Sequence, residues 1–204
     1  MNYDPTGHFV ITLSAFFISV GIGAGIGAGI TFGKTLYNDY ADDGQIFNES
    51  VSSDEYFGNT LGGLVAGAGV GVCSVLGGGL GASMIAGEAF SVGGMTLSGF
   101  SAFGLGTSTA FATGMAGYSL STVINKNETF RVTDMLIEGG ANAISGTLSF
   151  VGGMGGGITG THIPGIKKGL INSLKYHGGL TYFGVYPLKV IVTKIRSLIE
   201  ENAQ

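Results

Sequence analysis

Few residues in this chain have the types and the spacing that catalysis needs. Hydrolysis requires a general base beside a nucleophile or a metal ion, and the chain has three histidines, His8, His162 and His177. Any acidic partner of these histidines is distant in the sequence, and His177 with the nearby Lys175 is the one pair worth testing. We predict that the protein is not an enzyme and has no catalytic residue, cofactor or metal ion.

Three short motifs imitate nucleotide or metal sites without the surroundings that such sites need. Residues 28–35 match the loose form of a phosphate-binding loop, and residues 23–28 imitate a dinucleotide fingerprint. Both sites require a preceding strand within a βαβ unit, and the sequence shows no such alternation. The spacing of Asp39 and Asp43 imitates a calcium loop, but Ala41 stands where that loop needs a ligand. A solvated acidic loop is the better interpretation.

The composition is that of a protein whose helices pack through small residues. Of its 204 residues 40 are glycine, and 11% are charged, against about 25% in ordinary soluble domains. The residues between the glycines are mostly apolar, which argues against a flexible linker or disorder. The net charge of −4 argues against nucleic acid as a partner, because phosphate binding needs a basic face. The single cysteine, Cys73, is expected to be a small buried residue.

Charged residues are missing from four long stretches of the chain. In order, these are residues 9–33, 56–87, 89–125 and 139–161. Each is long enough for a helix to cross the hydrocarbon core, which takes about 20 residues. If each stretch crosses once, both termini lie on one side of the membrane. The positive-inside bias then puts the lysine-rich tail, residues 162–204, in the cytoplasm and the acidic loop 34–55 outside.

Small residues recur every four positions in each stretch, which gives each predicted helix a face almost without side chains. In a membrane such faces let helix backbones approach closely. The predicted helix-packing and oligomerisation residues are Gly21, Gly25, Gly29, Gly33, Gly63, Gly67, Gly71, Gly77, Gly81, Gly106, Gly114, Gly152, Gly156 and Gly160. Neighbouring lines, such as Gly23 with Gly27, have the same spacing. We expect a helix break at residues 152–157. A soluble bundle packed through alanine and glycine is the alternative.

The last part of the tail has the pattern of a cationic amphipathic helix. Pro187 is well placed to begin it, and apolar residues follow at helical spacing. Lys189, Lys194 and Arg196 lie around the other side, as is typical of a helix on a membrane surface. Packing of this helix against the rest of its own chain is an equal alternative.

The first residues, from Asn2 to Phe9, include the sequence DPTGHF and resemble the closing motif of the Rhs/YD-repeat core. The runs at 57–69 and 138–146 also resemble glycine-rich tails of Rhs-associated proteins. The resemblance implies a C-terminal tail of a polymorphic toxin, secreted by a bacterium, enclosed in a β-shell until delivery and opposed by an immunity protein. The chain lacks the nuclease or deaminase motifs common in such tails, which leaves membrane disruption or help in translocation.

Together these features predict an all-α protein of glycine-zipper hairpins with a C-terminal basic amphipathic helix. The expected divisions are residues 1–8, the end of the core motif; 9–161, the apolar helical region; and 162–204, the basic tail. The expected function is that of a pore-forming toxin tail that oligomerises in the bilayer of a target cell. The alternatives are a non-toxic pretoxin or translocation module and a housekeeping integral membrane protein.

Overall fold

Four long helices make up most of the protein. The computed structural model describes residues 8–11, 13–47, 51–126 and 129–160. In this part of the chain the helices are α1 (Leu13–Asp43), α2 (Ser53–Ala86), α3 (Gly99–Ile124) and α4 (Val132–Gly160). The prediction of a mostly helical protein is confirmed, whereas the predicted tail helix and the first seven residues lie outside the described residues.

The helices run alternately up and down, and α2 lies at the centre. Helix α1 is antiparallel to α2, because Gly27 meets Gly63 while Gly23 meets Gly67. Helix α3 is also antiparallel to α2, since Gly62 meets Gly117 and Gly58 meets Ser121. Helix α4 is parallel to α2, since Gly77 meets Phe150 and Gly81 meets Met154. Helix α2 packs against all three other helices and α3 packs against α4, whereas α1 packs on α2 and not substantially on α3 or α4. Because α1 lies on the outside of the bundle, one of its sides is not covered by the other described helices.

Helix ends are fixed by short polar caps. Ser52 precedes α2 and accepts a hydrogen bond from the Glu55 N–H at 3.2 Å, and Ser98 caps α3 through the Ser101 N–H at 3.1 Å. Such caps satisfy N–H groups that have no partner within the helix. Gly87 ends α2 in the left-handed conformation, with φ +68°, which glycine adopts without steric cost.

A small three-stranded sheet lies at one end of the bundle and corrects the prediction that the protein is all-α. Strand β1 (His8–Val10) pairs in parallel with β2 (Ala89–Val92), which pairs in antiparallel fashion with β3 (Met95–Thr96). Gly93 and Gly94, with φ +58° and +81°, form the two-residue turn, which requires two positive φ values. The charge-free stretch 89–125 therefore begins with a hairpin rather than a helix.

Two other expectations about helix bounds are wrong. Helix α1 continues to Asp43, so the connection to α2 is residues 44–52 rather than the predicted loop 34–55. Helix α4 runs without a break through residues 152–157, although glycine is a poor helix former in water. Packing overrides this propensity: an added Cβ at Gly153 would lie 2.9 Å from the Ser74 carbonyl carbon, which shows that α4 lies directly on the α2 backbone.

The core has few large side chains. Its buried cluster comprises Cys73, Leu76, Phe90, Ala102, Ala110 and Phe150. Phe103 and Phe150 meet edge to face with ring centroids 5.4 Å apart. With so little side-chain volume between them, the helices are held largely by contact between their backbones.

Candidate helix-packing and membrane surface

Helices α1 and α2 meet through glycines on both sides. A Cβ added at Gly27 would lie 2.9 Å from Gly67 Cα, and one added at Gly71 would lie 2.9 Å from Val20 Cα. Carbon atoms in contact are normally about 3.5–4.0 Å apart, so neither position has room for a methyl group. The residues that form this contact are Gly23 and Gly27 of α1 with Gly63, Gly67 and Gly71 of α2.

Small polar residues extend this contact in both directions along α1. The Ser19 hydroxyl donates a hydrogen bond to the Gly71 carbonyl at 3.3 Å, and the Thr31 hydroxyl donates to the Gly27 carbonyl of its own helix at 3.0 Å. Further along, Thr35 is buried and accepts from the Asn59 amide at 3.1 Å. The line of α1 that faces α2 is thus residues 19, 23, 27, 31, 35 and 39, spaced four apart, of which 23, 35 and 39 are buried and the others half-buried.

Glycines also set the contacts of α2 with α3 and α4. A Cβ added at Gly62 would lie 3.3 Å from the Gly117 carbonyl carbon, and one added at Gly81 would lie 3.0 Å from that of Met154. Gly77 faces the Phe150 backbone, where an added Cβ would lie 2.8 Å from the carbonyl carbon. Because α2 has glycines on several sides, three helices approach it at once.

Two asparagines link the helices by hydrogen bonds. The Asn142 amide of α4 lies 3.1 Å from the Ala66 carbonyl of α2 and 2.6 Å from the Ala110 carbonyl of α3. Asn59 of α2 donates to Thr35 of α1, and its oxygen accepts from the Ser121 hydroxyl of α3 at 2.7 Å. These bonds fix the register of the helices, because glycine contacts alone do not distinguish one register from another shifted by a turn.

The outward face of α1 has a second line of glycines, and it is open. At Gly21, Gly25, Gly29 and Gly33 an added Cβ would meet no atom of the described residues within 4 Å beyond its own stretch of helix. Large apolar side chains lie near both ends of this face, including Phe17, 62% exposed, and Phe32, 37% exposed. In the most apolar 18-residue segment of α1 only 6% of the residues are buried, against 56% in that of α2.

Two of the four helices are long and apolar enough to cross a membrane, namely α1 over Leu13–Asp42 and α2 over Ser53–Ala86. Helices α3 and α4 do not reach this hydropathy. The absence of charge alone predicts four such stretches, at 9–33, 56–87, 89–125 and 139–161. The hydropathy of this first helix pair agrees with membrane association.

The charged residues of the described chain gather at one end of the bundle, where α1 ends and α2 begins. Glu88 lies at the opposite end, near the small sheet. At the charged end Asp54 and Lys126 form an ion pair at 3.4 Å. Asp39 is fully buried there and accepts hydrogen bonds from the Tyr56 hydroxyl at 2.5 Å and the Phe47 N–H at 2.8 Å.

The predicted packing residues have different surroundings. Seven lie close to a neighbouring helix: Gly63, Gly67, Gly71, Gly77, Gly81, Gly106 and Gly114. Four face outward from α1, namely Gly21, Gly25, Gly29 and Gly33, so they do not pack α1 on α2. Gly152 and Gly156 are buried in α4, and Gly160 is its last residue. Lys189, Lys194 and Arg196 lie outside the described residues.

The spacing of the glycines alone does not single out the packed line of α1. It gives Gly23 with Gly27 the same weight as Gly21 with Gly25, and it does not predict the roles of Asn59 and Asn142. The polar residues in line with Gly23 and Gly27 do distinguish this face. Ser19, Thr31, Thr35 and Asp39 continue the same four-residue spacing. Hydroxyl and carboxyl groups need partners when they leave water, so the face that bears them is the one that packs.

The motifs that imitate chemical sites have structural roles here. Residues 28–35 are helical throughout α1, so no phosphate-binding loop forms there. Asp39 is held by Tyr56 and Phe47, and within the described part of the chain no group of three His, Cys, Asp or Glu residues is placed to hold a metal ion. Cys73 is fully buried, and a Cβ added at Gly106 would lie 3.4 Å from its Sγ atom.

Comparison with known proteins adds no relative from which a function could be transferred. No family model, no curated protein and no solved structure was found to match this chain.

Proposed function

We propose that this chain inserts into the membrane of a target cell, oligomerises there through the outward face of α1 and permeabilises the bilayer. The observation that carries the proposal is the open line of Gly21, Gly25, Gly29 and Gly33 on the most exposed apolar helix. Each glycine costs about 1 kcal/mol of helix stability relative to alanine. Four of them on a face that no other described element covers are costly unless another helix packs there.

A second copy of α1 is the partner proposed for this face. Small residues at four-residue spacing let two helix backbones approach closely in lipid, where burial of apolar side chains gives no net gain. The contact of Gly23 and Gly27 with α2 shows that this chain already uses such packing. An isologous pair, in which the same patch serves on both copies, is the simplest closed arrangement.

The delivery of the chain is proposed from its first residues. Their resemblance to the end of an Rhs-type core supports secretion from a bacterium inside a β-shell, and an immunity protein in the producing cell. The apolar surface agrees with a need for such enclosure. Apolar side chains more than 60% exposed in the described residues include Leu13, Phe17, Phe47, Met84, Met95, Phe100 and Val123, and an uncovered surface of this kind promotes aggregation in water.

Dye leakage from liposomes tests insertion and permeabilisation together. The full chain should release dye, and Gly25→Leu with Gly29→Leu should abolish release while leaving the chain bound to the liposomes. The matched control is Gly104→Leu with Gly140→Leu, because these glycines are equally open but lie on α3 and α4. Leakage by the control and not by the α1 variant is the expected pattern.

Two results would contradict the proposal. If the unaltered chain neither binds liposomes nor releases dye, membrane insertion is wrong. If the α1 variant leaks dye as fast as the unaltered chain, the α1 face is not the oligomer contact. Expression in the cytoplasm and in the periplasm distinguishes the alternatives: killing with loss of membrane potential supports the toxin, and absence of any phenotype supports a pretoxin module or a housekeeping membrane protein.

A further inference from the structure

An open cleft lined by aromatic rings lies at the charged end of the bundle, where α1 and α2 meet. Its volume is about 380 Å³. The lining residues are Phe32, Phe47, Ser53, Tyr56, Phe57 and Thr60. The Tyr56 ring is central: its centroid lies 5.2 Å from that of Phe47 and 5.8 Å from that of Phe32. Four aromatic rings, those of Phe32, Phe47, Tyr56 and Phe57, thus line one opening.

The ring of Phe47 is held in place by an unusual backbone conformation. Phe47 has φ +58°, the one positive value in the described residues outside glycine. The left-handed region costs such a residue roughly 1–2 kcal/mol. The Asp39 carboxylate stabilises it by accepting the Phe47 N–H at 2.8 Å. The ring is nevertheless 65% exposed, so this conformation presents the ring to the cleft rather than burying it in the core.

The electrostatic surroundings of the cleft favour a cation. Asp39 is buried and accepts a hydrogen bond from the Tyr56 hydroxyl at 2.5 Å. This hydrogen bond to a carboxylate increases the electron density of the Tyr56 ring. Asp54 and Glu55 belong to the first turn of α2, where they offset the positive end of the helix dipole. Among the described residues, three cationic side chains lie at this end of the bundle. Lys126 is paired with Asp54, and the other two are Lys34 and Arg131, both exposed.

We propose that this cleft binds a quaternary ammonium group. Such a group is apolar on its surface and positively charged, so it gains from the faces of aromatic rings and from nearby carboxylates, and it loses little hydration on entry. A primary ammonium ion is more strongly hydrated and fits these requirements less well. The same chemistry belongs to free choline compounds and to the headgroup of choline lipids. Binding of this group does not require membrane insertion or oligomerisation.

Choline and its neutral isostere test the proposal directly. The full chain in maltoside micelles is titrated calorimetrically with choline chloride, with 3,3-dimethylbutan-1-ol, which has the same shape without the charge, and with sodium chloride. Choline should bind at one saturable site, at least about tenfold more tightly than the neutral alcohol, because cation–π attraction contributes on the order of one factor of ten. Sodium should not compete at equal concentration.

Ring variants locate the site. Phe57→Leu and Phe47→Leu should each weaken choline binding about five- to tenfold. Phe100→Leu is the matched control: its ring is 86% exposed at the opposite end of the bundle, and its loss should leave choline affinity unchanged. Circular dichroism establishes that the variants remain helical. Equal binding of choline and the neutral alcohol, or equal affinity in all variants, would overturn the proposal.

Vesicles then separate the two sources of the group. Retention of the chain on phosphatidylcholine vesicles in preference to phosphatidylglycerol vesicles, reversed by Phe57→Leu and by free phosphocholine, identifies a lipid headgroup as the ligand. Equal retention on both, with choline titration intact, identifies a soluble cation, and both outcomes support the cleft as the site. Failure of dye leakage with intact choline binding would contradict only the proposed function.

Discussion

Two glycines two positions apart in α1 should respond in opposite directions to the same substitution. Gly27 faces α2, and a Cβ added there would lie 2.9 Å from Gly67 Cα and still closer to the Gly63 carbonyl oxygen. Gly25 faces outward, with no atom of the described neighbouring elements within 4 Å. Both lie between an apolar residue and an alanine, so the intrinsic helix propensities of the two sites are nearly the same.

The magnitudes follow from this geometry. Replacing glycine by alanine in a helix contributes about 1 kcal/mol of stability, and Gly25→Ala should show that gain. At Gly27 the clash is with backbone atoms, which cannot rotate away, so the two helices must separate. Overpacking of this kind costs about 1–3 kcal/mol. The upper value of this range applies here, because the clashing atoms belong to the backbone of α2. Gly27→Ala should therefore be destabilising by a net of about 2 kcal/mol, about 3 kcal/mol away from Gly25→Ala.

The free energy of unfolding in mixed maltoside and dodecyl sulfate micelles, followed by circular dichroism, measures the difference. The protein is kept dilute and monomeric, which light scattering verifies, because Gly25 is proposed to face a second copy in the oligomer. Gly67→Ala is a further comparison: it lies opposite Gly27 and should resemble Gly27→Ala. Equal changes at Gly25 and Gly27, or a loss of stability at Gly25 alone, would refute the assignment of the packed face.

Four further predictions concern polar contacts, a turn and the tail. Asn142→Leu should lower the free energy of unfolding by about 1–2 kcal/mol, since it removes the donor to two helices, while the exposed Asn38→Ala should change it little. Tyr56→Phe should cost about 1–3 kcal/mol in the same assay, because it leaves the buried Asp39 short of a donor. Gly94→Val should increase hydrogen exchange in the β2–β3 hairpin, because φ +81° is unfavourable for a branched residue by about 1–2 kcal/mol. Neutralising the three cations predicted for the tail helix should weaken cosedimentation with anionic vesicles by about 100-fold, at about 1 kcal/mol per charge; unchanged binding would contradict a membrane-surface role.

The connection between α1 and α2 illustrates where local patterns fail. The polarity of Lys34 and of the acidic residues that follow it predicts a solvated loop. In the structure most of them extend α1, and Asp39 becomes a buried acceptor for Tyr56 and Phe47. A buried carboxylate needs donors from elsewhere in the chain, and which residues supply them depends on how α1 and α2 pack. The aromatic cleft at this end depends on the same packing, so local patterns do not predict it.

The sequence by itself determined that the protein is mostly helical, that its helices are apolar, and that they bear faces of small residues at four-residue spacing. Helical periodicity follows from local geometry, so these features need no tertiary information. Which glycine face packs was decided only by the tertiary structure. Gly23 and Gly25 are about 200° apart around the helix, at about 100° per residue, so spacing alone treats their faces as equivalent. Helix α2 supplies complementary glycines and polar partners for Ser19, Thr35 and the face between them, and no other described element covers the opposite face.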